Sequence, residues 1–244
     1  MLILAGLLGL TIMLVSAAAA RTARLKQAQQ GALVLCALAY SVGPVAYPFV
    51  QLNFSESVFA QVVLIDLVLF VSVMVLGPAV AASYDSSSRL SVNAVIRTIL
   101  TDVLLLSVIA ATVLNTFRVD LPVFVTDSAS YIGASFSFLV TVYLALSLKM
   151  PDIRQIRLLG GFVMFRLIAA MVGAFAIAAA VRADTGSFQA LLLTFFTPVS
   201  TFPLVYTSRH RLDSELVAQL SLLSRIIVLI LYPVLMAVLL EAGP

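Results

Sequence analysis

Long unbroken apolar runs constrain this chain more than any other feature of its sequence. About eight runs of roughly 18–25 residues follow one another, which is the length that an α-helix needs to cross a bilayer. Of the 244 residues, 62% are hydrophobic and only 10% are charged, whereas soluble domains contain about 25% charged residues. The runs lack the alternation of barrel strands, so only helices can satisfy their backbone polar groups in hydrocarbon. The sequence therefore predicts an all-α, polytopic membrane protein.

The charged residues lie mainly in the connections between these runs and predict an orientation. We place the spans at 2–20, 31–50, 58–83, 94–116, 129–148, 158–181, 187–207 and 216–240. Ten Lys and Arg residues lie in four alternate connections, at 21–30, 84–97, 149–157 and 208–215. The remaining connections carry two, Arg118 and Arg182. Because positive charge marks cytoplasmic loops, we predict that both termini lie outside the cytoplasm. The short loops favour an integral protein of a bacterial inner membrane.

The first run has an alternative interpretation as a cleaved signal peptide. Residues 17–20 are all alanine and supply the small side chains that a cleavage site needs. However, no basic residue precedes the run, and its positive charges follow it. We therefore interpret residues 2–20 as a retained span.

Several function classes are excluded by residue types and motifs that the sequence lacks. Cys36 is the only cysteine and His210 the only histidine, which rules out a disulfide framework and a metal cluster built from these residues. The sequence contains no Walker motif, no His-Glu-x-x-His and no Gly-x-Ser-Gly. We predict neither an enzyme nor a cofactor, metal site or nucleic-acid interface. We interpret His210, which lies between two arginines, as part of a positively charged cytoplasmic loop.

Two of the predicted spans each contain a pair of prolines about one helical turn apart. Pro44 and Pro48 lie in span two, and Pro198 and Pro203 lie in span seven. Proline lacks a backbone donor and clashes with the preceding turn, so each pair predicts a locally unwound helix. Unwound backbone at membrane depth occurs only where protein or a water-filled cavity covers it.

The helices that follow the two proline pairs also correspond to each other. Residues 60–66 can be aligned with residues 218–224, and the two copies run through the membrane in opposite directions. The sequence therefore predicts an inverted repeat, and interrupted helices at matching positions of such repeats point to the substrate site of a transporter. Alternatively, each pair only kinks its helix, because proline is more frequent in membrane helices than in soluble ones.

This arrangement resembles the auxin efflux carrier family, within the bile acid/sodium symporter-like superfamily. The resemblance rests on the proline-rich span followed by the helix that bears Asp66, and on the Pro-broken helix before the Ser-rich final helix. It implies two inverted five-helix repeats that cross at their broken fourth helices. It also implies a homodimer and the transport of small organic anions, such as auxin-like acids and dicarboxylates.

Compared with a ten-helix carrier of that family, the chain begins at the third helix. We therefore expect a single transmembrane domain in which residues 1–83 form a partial first repeat and residues 84–244 a five-helix second repeat. The family's first two helices would then be missing, either because the protein is shortened or because its true start lies upstream.

Ionisable residues inside the apolar runs are costly to insert and are therefore candidates for function. Asp66 in span three and Arg225 in span eight occupy nearly equivalent positions in the two copies. We expect Asp66 to carry a coupling proton and Arg225 to attract a carboxylate substrate; alternatively, the two form an ion pair that only stabilises the bundle. Arg166 lies outside the repeated unit, and we interpret it and Asp102 as structural.

The other candidate substrate-binding residues flank the prolines and offer hydroxyl groups or unwound backbone. They are Tyr40, Ser41, Gly43, Pro44, Tyr47, Pro48, Thr197, Pro198, Ser200, Thr201, Pro203 and Ser224. We predict a secondary transporter of small organic anions, with alternating access about helices crossed at 43–48 and 197–203. The alternative is a non-transporting membrane module that senses a ligand or serves as a partner subunit.

Overall fold

The structure is a computed structural model that describes residues 1–85, 103–132 and 155–241, together with residues 96, 97, 100, 101, 135 and 142. Throughout these residues every regular element is an α-helix, which confirms the all-α prediction. The chain divides into two compact units, one of Met1–Arg89 with Lys149–Pro244 and the other of Leu90–Leu148. The division into repeats stays a prediction.

The first unit contains both proline-broken segments. Its helices are α1 (Leu2–Thr22), α2 (Gln27–Leu38), α3 (Val42–Asn53), α4 (Glu56–Tyr84), α6 (Ile156–Val181), α7 (Thr185–Phe195), α8 (Pro203–Arg209) and α9 (Ser214–Glu241). Helix α1 packs against α2, α4 and α6, while α4 also packs against α2, α3 and α7. Helix α9 contacts α2, α6 and α8.

The second unit contains helix α5 (Val103–Thr116) and a helical stretch at residues 123–132. Most of the described large apolar side chains of this unit are exposed, including Val103, Ile109 and Val123. Most of the predicted fifth span, 129–148, and Asp102 lie outside the described residues. The prediction for Asp102 is therefore untested.

Among the described residues, four helices are long and apolar enough to cross a membrane. They are α1, α4, α6 and α9, with lengths of 21, 29, 26 and 28 residues. Their outer faces carry large apolar side chains, such as Ile3, Val172 and Ile230, which are 80%, 63% and 67% exposed. Water does not favour such faces but lipid does, so these helices indicate a membrane-embedded protein. The count of eight spans stays a prediction.

Proline explains why predicted spans two and seven are each divided into two short helices. The ring of Pro44 would clash with the carbonyl of Tyr40, four residues earlier, and α2 accordingly ends at Leu38 while α3 begins at Val42. Pro198 likewise ends α7 at Phe195, and Pro203 begins α8 at a position where its missing N–H costs nothing.

The first interruption lies earlier than the sequence predicted. Residues 43–48, expected to form the crossing, are helical and belong to α3. The unwound backbone is at residues 39–41 instead, because a proline disturbs the turn that precedes it and can itself occupy a first turn. The second interruption, at residues 196–202, agrees with the predicted segment 197–203 to within one residue.

Candidate functional site

The two unwound segments lie side by side and are joined through their backbones. Tyr40 and Val199 face each other in an isolated antiparallel bridge. The Ser41 N–H donates to the Pro198 carbonyl at 3.0 Å, and the Ser200 N–H donates to the Ala39 carbonyl at 3.2 Å. Each unwound segment therefore supplies a hydrogen-bond partner to backbone groups of the other segment that lack one within their own helix. Buried backbone polar groups require such partners. We call these paired segments, residues 39–41 and 196–202, the crossing.

Arg166 of α6 extends its guanidinium into the crossing. Nη1 donates to the Thr197 carbonyl at 2.7 Å, and Nη2 donates to the Ala39 carbonyl at 3.2 Å. The Cζ atom lies 3.9 Å from the centre of the Tyr40 ring, within the range of a cation–π contact. The side chain is only 2% exposed. Arg166 therefore holds both unwound segments at once.

Two serines of α9 support the second segment from the other side. The Ser224 hydroxyl accepts the Val199 N–H at 3.1 Å and donates to the Ser221 carbonyl. The Ser221 hydroxyl donates to the Ser200 carbonyl at 3.2 Å. All of these residues are buried. The Ser-rich face of the last helix thus supplies polar partners to backbone that would otherwise be unpaired in an apolar interior.

A small cavity lies beside the crossing. It has a volume of about 20 Å³, which is enough for about one water molecule. Its lining includes Ala39, Tyr40, Asp66, Phe70, Ser200 and Phe202. The rings of Phe70 and Phe202 meet edge to face, with their centroids 5.5 Å apart. The cavity therefore joins residues of both unwound segments to the intramembrane carboxylate of α4.

Asp66 is hydrogen-bonded to a residue of α3. The Tyr47 hydroxyl donates to Asp66 Oδ2 at 2.8 Å, and the Tyr47 ring meets the Phe59 ring edge to face. Both Asp66 and Tyr47 are half-buried. A carboxylate accepts such a bond when ionised and can donate one when protonated, so this pair can accommodate either state. The structure thus brings the predicted coupling residue and a predicted binding residue together.

Arg225 does not pair with Asp66. No carboxylate of the described residues lies within ion-pair distance of the Arg225 guanidinium, and its Nη1 is buried without a hydrogen-bond partner. Its neighbour in the chain, Ser224, faces the crossing. An intramembrane cation without a protein counter-ion is expensive, which keeps Arg225 a candidate for binding an anion.

The other predicted residues divide between the crossing and its surroundings. Pro198, Ser200 and Thr197 are buried in the crossing, where the Thr197 hydroxyl donates to the Thr194 carbonyl and the Ser200 hydroxyl accepts the Phe202 N–H. Ser41, Thr201 and Pro203 are part of the crossing or border it. Gly43 is partly buried in the first turn of α3, whereas Pro44 and Pro48 have exposed side chains.

Arg166 is the residue at the crossing whose position the sequence analysis missed. Its helix lies outside the repeated unit, so the repeat gave no reason to place it there. A signal was nevertheless present, because two interrupted helices leave carbonyls without donors and an intramembrane arginine offers five N–H groups. Outside the crossing, His210 Nδ1 lies 3.4 Å from Asp85 Oδ2, which links the end of α8 to the end of α4.

The chain was compared with known families, curated proteins and solved structures. No family model, curated protein or solved structure matches it. The resemblance to auxin efflux carriers therefore stays a prediction from sequence.

Proposed function

We propose that this protein is a secondary transporter that moves small organic anions across the membrane by alternating access at the crossing. The observation that carries this proposal is the pairing of two unwound segments beside a half-buried carboxylate. Simple proline kinks would not require the two breaks to meet and share hydrogen bonds. In transporters, broken helices of this kind surround the substrate site near the bilayer midplane.

In this proposal each pair of short helices forms one discontinuous span. Helices α2 and α3 together extend over residues 27–53, and α7 and α8 over residues 185–209. Both combinations exceed the roughly 20 residues that a span requires. The orientation follows from the charges of the connections and places both termini outside the cytoplasm.

The charges around the crossing favour an anionic substrate. Helix α3 begins at Val42, so its positive dipole end and its first unpaired N–H groups face the first break. Arg166 at the crossing, and Arg225 next to Ser224 in the chain, are two cations that have no carboxylate partner among the described residues. Asp66 is the acidic residue of the cavity and is placed to take up a proton together with the anion.

A non-transporting membrane module is the second candidate function. The cavity volume of about 20 Å³ favours it, because this conformation has no room for a carboxylic acid. In the transporter proposal, a cavity of this size belongs to an occluded conformation that holds no substrate. Net movement of solute across a sealed membrane distinguishes the two candidates.

The proposal is tested by uptake into proteoliposomes that contain only this protein. Radiolabelled indole-3-acetate and succinate represent an aromatic monocarboxylate and a dicarboxylate, with an imposed proton gradient or membrane potential as the driving force. We expect uptake of at least one acid above that of empty liposomes. Asp66→Asn and Arg225→Ala should each lower it about tenfold or more, which corresponds to at least about 1.4 kcal/mol of lost transition-state stabilisation.

The matched control is Asp127→Asn, which removes an exposed carboxylate of the second unit. This variant should transport at the wild-type rate. Normal uptake by both Asp66→Asn and Arg225→Ala would reject the site assignment, and absence of uptake under every gradient would favour the non-transporting module.

A further inference from the structure

Among the described residues, Arg166 is a buried cation without a carboxylate partner. Its side chain is 2% exposed, and within residues 1–85 and 155–241 no carboxylate lies at ion-pair distance from it. A charged arginine at membrane depth is costly unless it is paired or hydrogen-bonded. Its present partners are two neutral carbonyls and an aromatic ring.

These partners leave the guanidinium with unused capacity to bind an anion. Only two of its five N–H groups have acceptors at 2.7 and 3.2 Å, and the buried Nε has none. A carboxylate is a stronger acceptor than a carbonyl and can accept two parallel bonds from one guanidinium. A carboxylate that bound the edge formed by Nη1 and Nη2 would therefore compete with the Thr197 and Ala39 carbonyls.

The same two bonds hold the crossing together. Thr197 belongs to the second unwound segment and Ala39 to the first, so Arg166 is a bridge between them. Loss of these bonds leaves only the two backbone hydrogen bonds, of 3.0 and 3.2 Å, joining the segments directly. Binding of a carboxylate at Arg166 would thus loosen the crossing in the same event.

The cavity lies next to residues that contact Arg166. Ala39 and Tyr40 line it, and the same two residues contact the guanidinium through a carbonyl and a ring. Any solute larger than water must widen this cavity, and displacement of Tyr40 would uncover the guanidinium. Such a movement would break no hydrogen bond of the buried Tyr40 hydroxyl, but it would separate the Tyr40 ring from the Phe195 ring, which it meets edge to face.

We propose that Arg166 binds the carboxylate group of the substrate, and that the exchange of its two carbonyl acceptors for carboxylate oxygens opens the crossing. This inference rests on the proposed transport function and names the residue that recognises the substrate class. It gives α6 a role in the site that the repeated helices alone do not provide.

Cys36 allows the opening to be measured without an introduced cysteine. It is the only cysteine, it is fully buried, and it lies in α2 one turn before Ala39. The experiment follows the rate at which a thiol-specific fluorescent maleimide labels Cys36 in purified full-length protein. Labelling is compared in the presence of benzoate, succinate or benzamide, of which benzamide has the shape of benzoate without its charge.

In wild-type protein we expect benzoate or succinate to accelerate labelling about five-fold or more, and benzamide to have no effect. Arg166→Gln should label fast without any addition and should not respond to carboxylates. Arg182→Gln, which removes an exposed loop arginine, should behave as wild type. If Arg166→Gln does not fold, Arg166→Lys keeps the charge but loses bidentate binding, and its response should fall several-fold.

Two results would overturn the inference. One is labelling of wild-type Cys36 that responds to neither carboxylate, and the other is an undiminished response in Arg166→Gln or Arg166→Lys. Uptake assays on the same preparations separate this failure from a failure of the transport proposal. A carboxylate response at Cys36 without uptake would support carboxylate binding by Arg166 but reject the transport proposal. Normal uptake by Arg166→Gln would reject carboxylate binding by Arg166 and retain the transport proposal.

Discussion

At the scale of single residues, several buried polar side chains satisfy backbone groups that the helix breaks leave unpaired. Arg166, Ser221 and Ser224 each contact a carbonyl or N–H of the crossing. An unpaired buried peptide group costs about 1–3 kcal/mol, so each of these contacts offsets a penalty that proline introduces. The side chains that satisfy the backbone of the crossing are therefore also groups that can bind a solute.

Outside the membrane, Asp184 gives a prediction on pH dependence. Asp184 is the N-cap residue of α7, and its carboxylate accepts the Ser187 N–H at 3.4 Å. Hydrogen bonding to Ser187 lowers the pKa of Asp184 below its usual value of 3.8. A lowered folded-state pKa means that the ionised cap stabilises the fold above the unfolded-state pKa, and that this contribution is lost as pH falls through the folded-state pKa.

We therefore expect Asp184→Asn to lower the melting temperature slightly at neutral pH, because asparagine caps the helix without the charge that favours an N-terminus. The difference between variant and wild type should vanish in acid. Thermal unfolding in detergent, from neutral to acidic pH, measures this difference in melting temperature. A difference in melting temperature that stayed constant down to the lowest pH would show that the ionisation of Asp184 does not contribute to the stability of the fold.

At the scale of helices, the position of each break could be predicted from sequence only to within a few residues. Proline identifies the turn that is disturbed, and the second break lies where Pro198 and Pro203 indicated. The first break was misplaced because Pro44 is compatible with the first turn of a new helix. Contacts between helices, such as those of Arg166, depend on packing that no local pattern encodes.

The support of the crossing by α9 can be tested with Ser224→Ala. This change leaves the buried Val199 N–H without an acceptor, so we expect a loss of about 1–3 kcal/mol in the free energy of unfolding. Ser72→Ala is the matched control, because the Ser72 hydroxyl donates only to the Val68 carbonyl within its own helix. Chemical unfolding in mixed micelles measures the free energy of unfolding of both variants. An equal loss of this free energy in the two variants would contradict the role of Ser224.

At the scale of the whole molecule, helix packing gives a further test. Gly173 of α6 faces Leu8 of α1 so closely that an added Cβ would overlap the leucine side chain. We expect Gly173→Ala to destabilise the protein by about 1–3 kcal/mol through overpacking. Gly160→Ala in the same helix meets no atom within 4 Å and should be neutral or stabilising by up to about 1 kcal/mol.

Thermal unfolding of the two alanine variants in the same detergent provides the measurement. Equal melting temperatures would contradict the close approach of α1 and α6.

The class of the protein could be predicted from the sequence because apolar runs of this length have few other stable environments. Packing between helices could not be predicted, since it depends on which faces of nearly uniformly apolar helices meet.

In the proposed transport cycle, the cavity at the crossing opens to each side of the membrane in turn. Ser200 lines that cavity and is 9% exposed, so Ser200→Cys in a Cys36→Ala background places a single thiol at the site. Ser208→Cys, at an exposed position near the end of α8, is the control and should be labelled from one side only.

The measurement is labelling of these cysteines by a membrane-impermeant maleimide in right-side-out and inside-out vesicles. Alternating access predicts that Ser200→Cys is labelled from both sides, and that an imposed proton gradient changes the ratio of the two rates. Labelling from one side alone, or from neither under any gradient, would contradict the account.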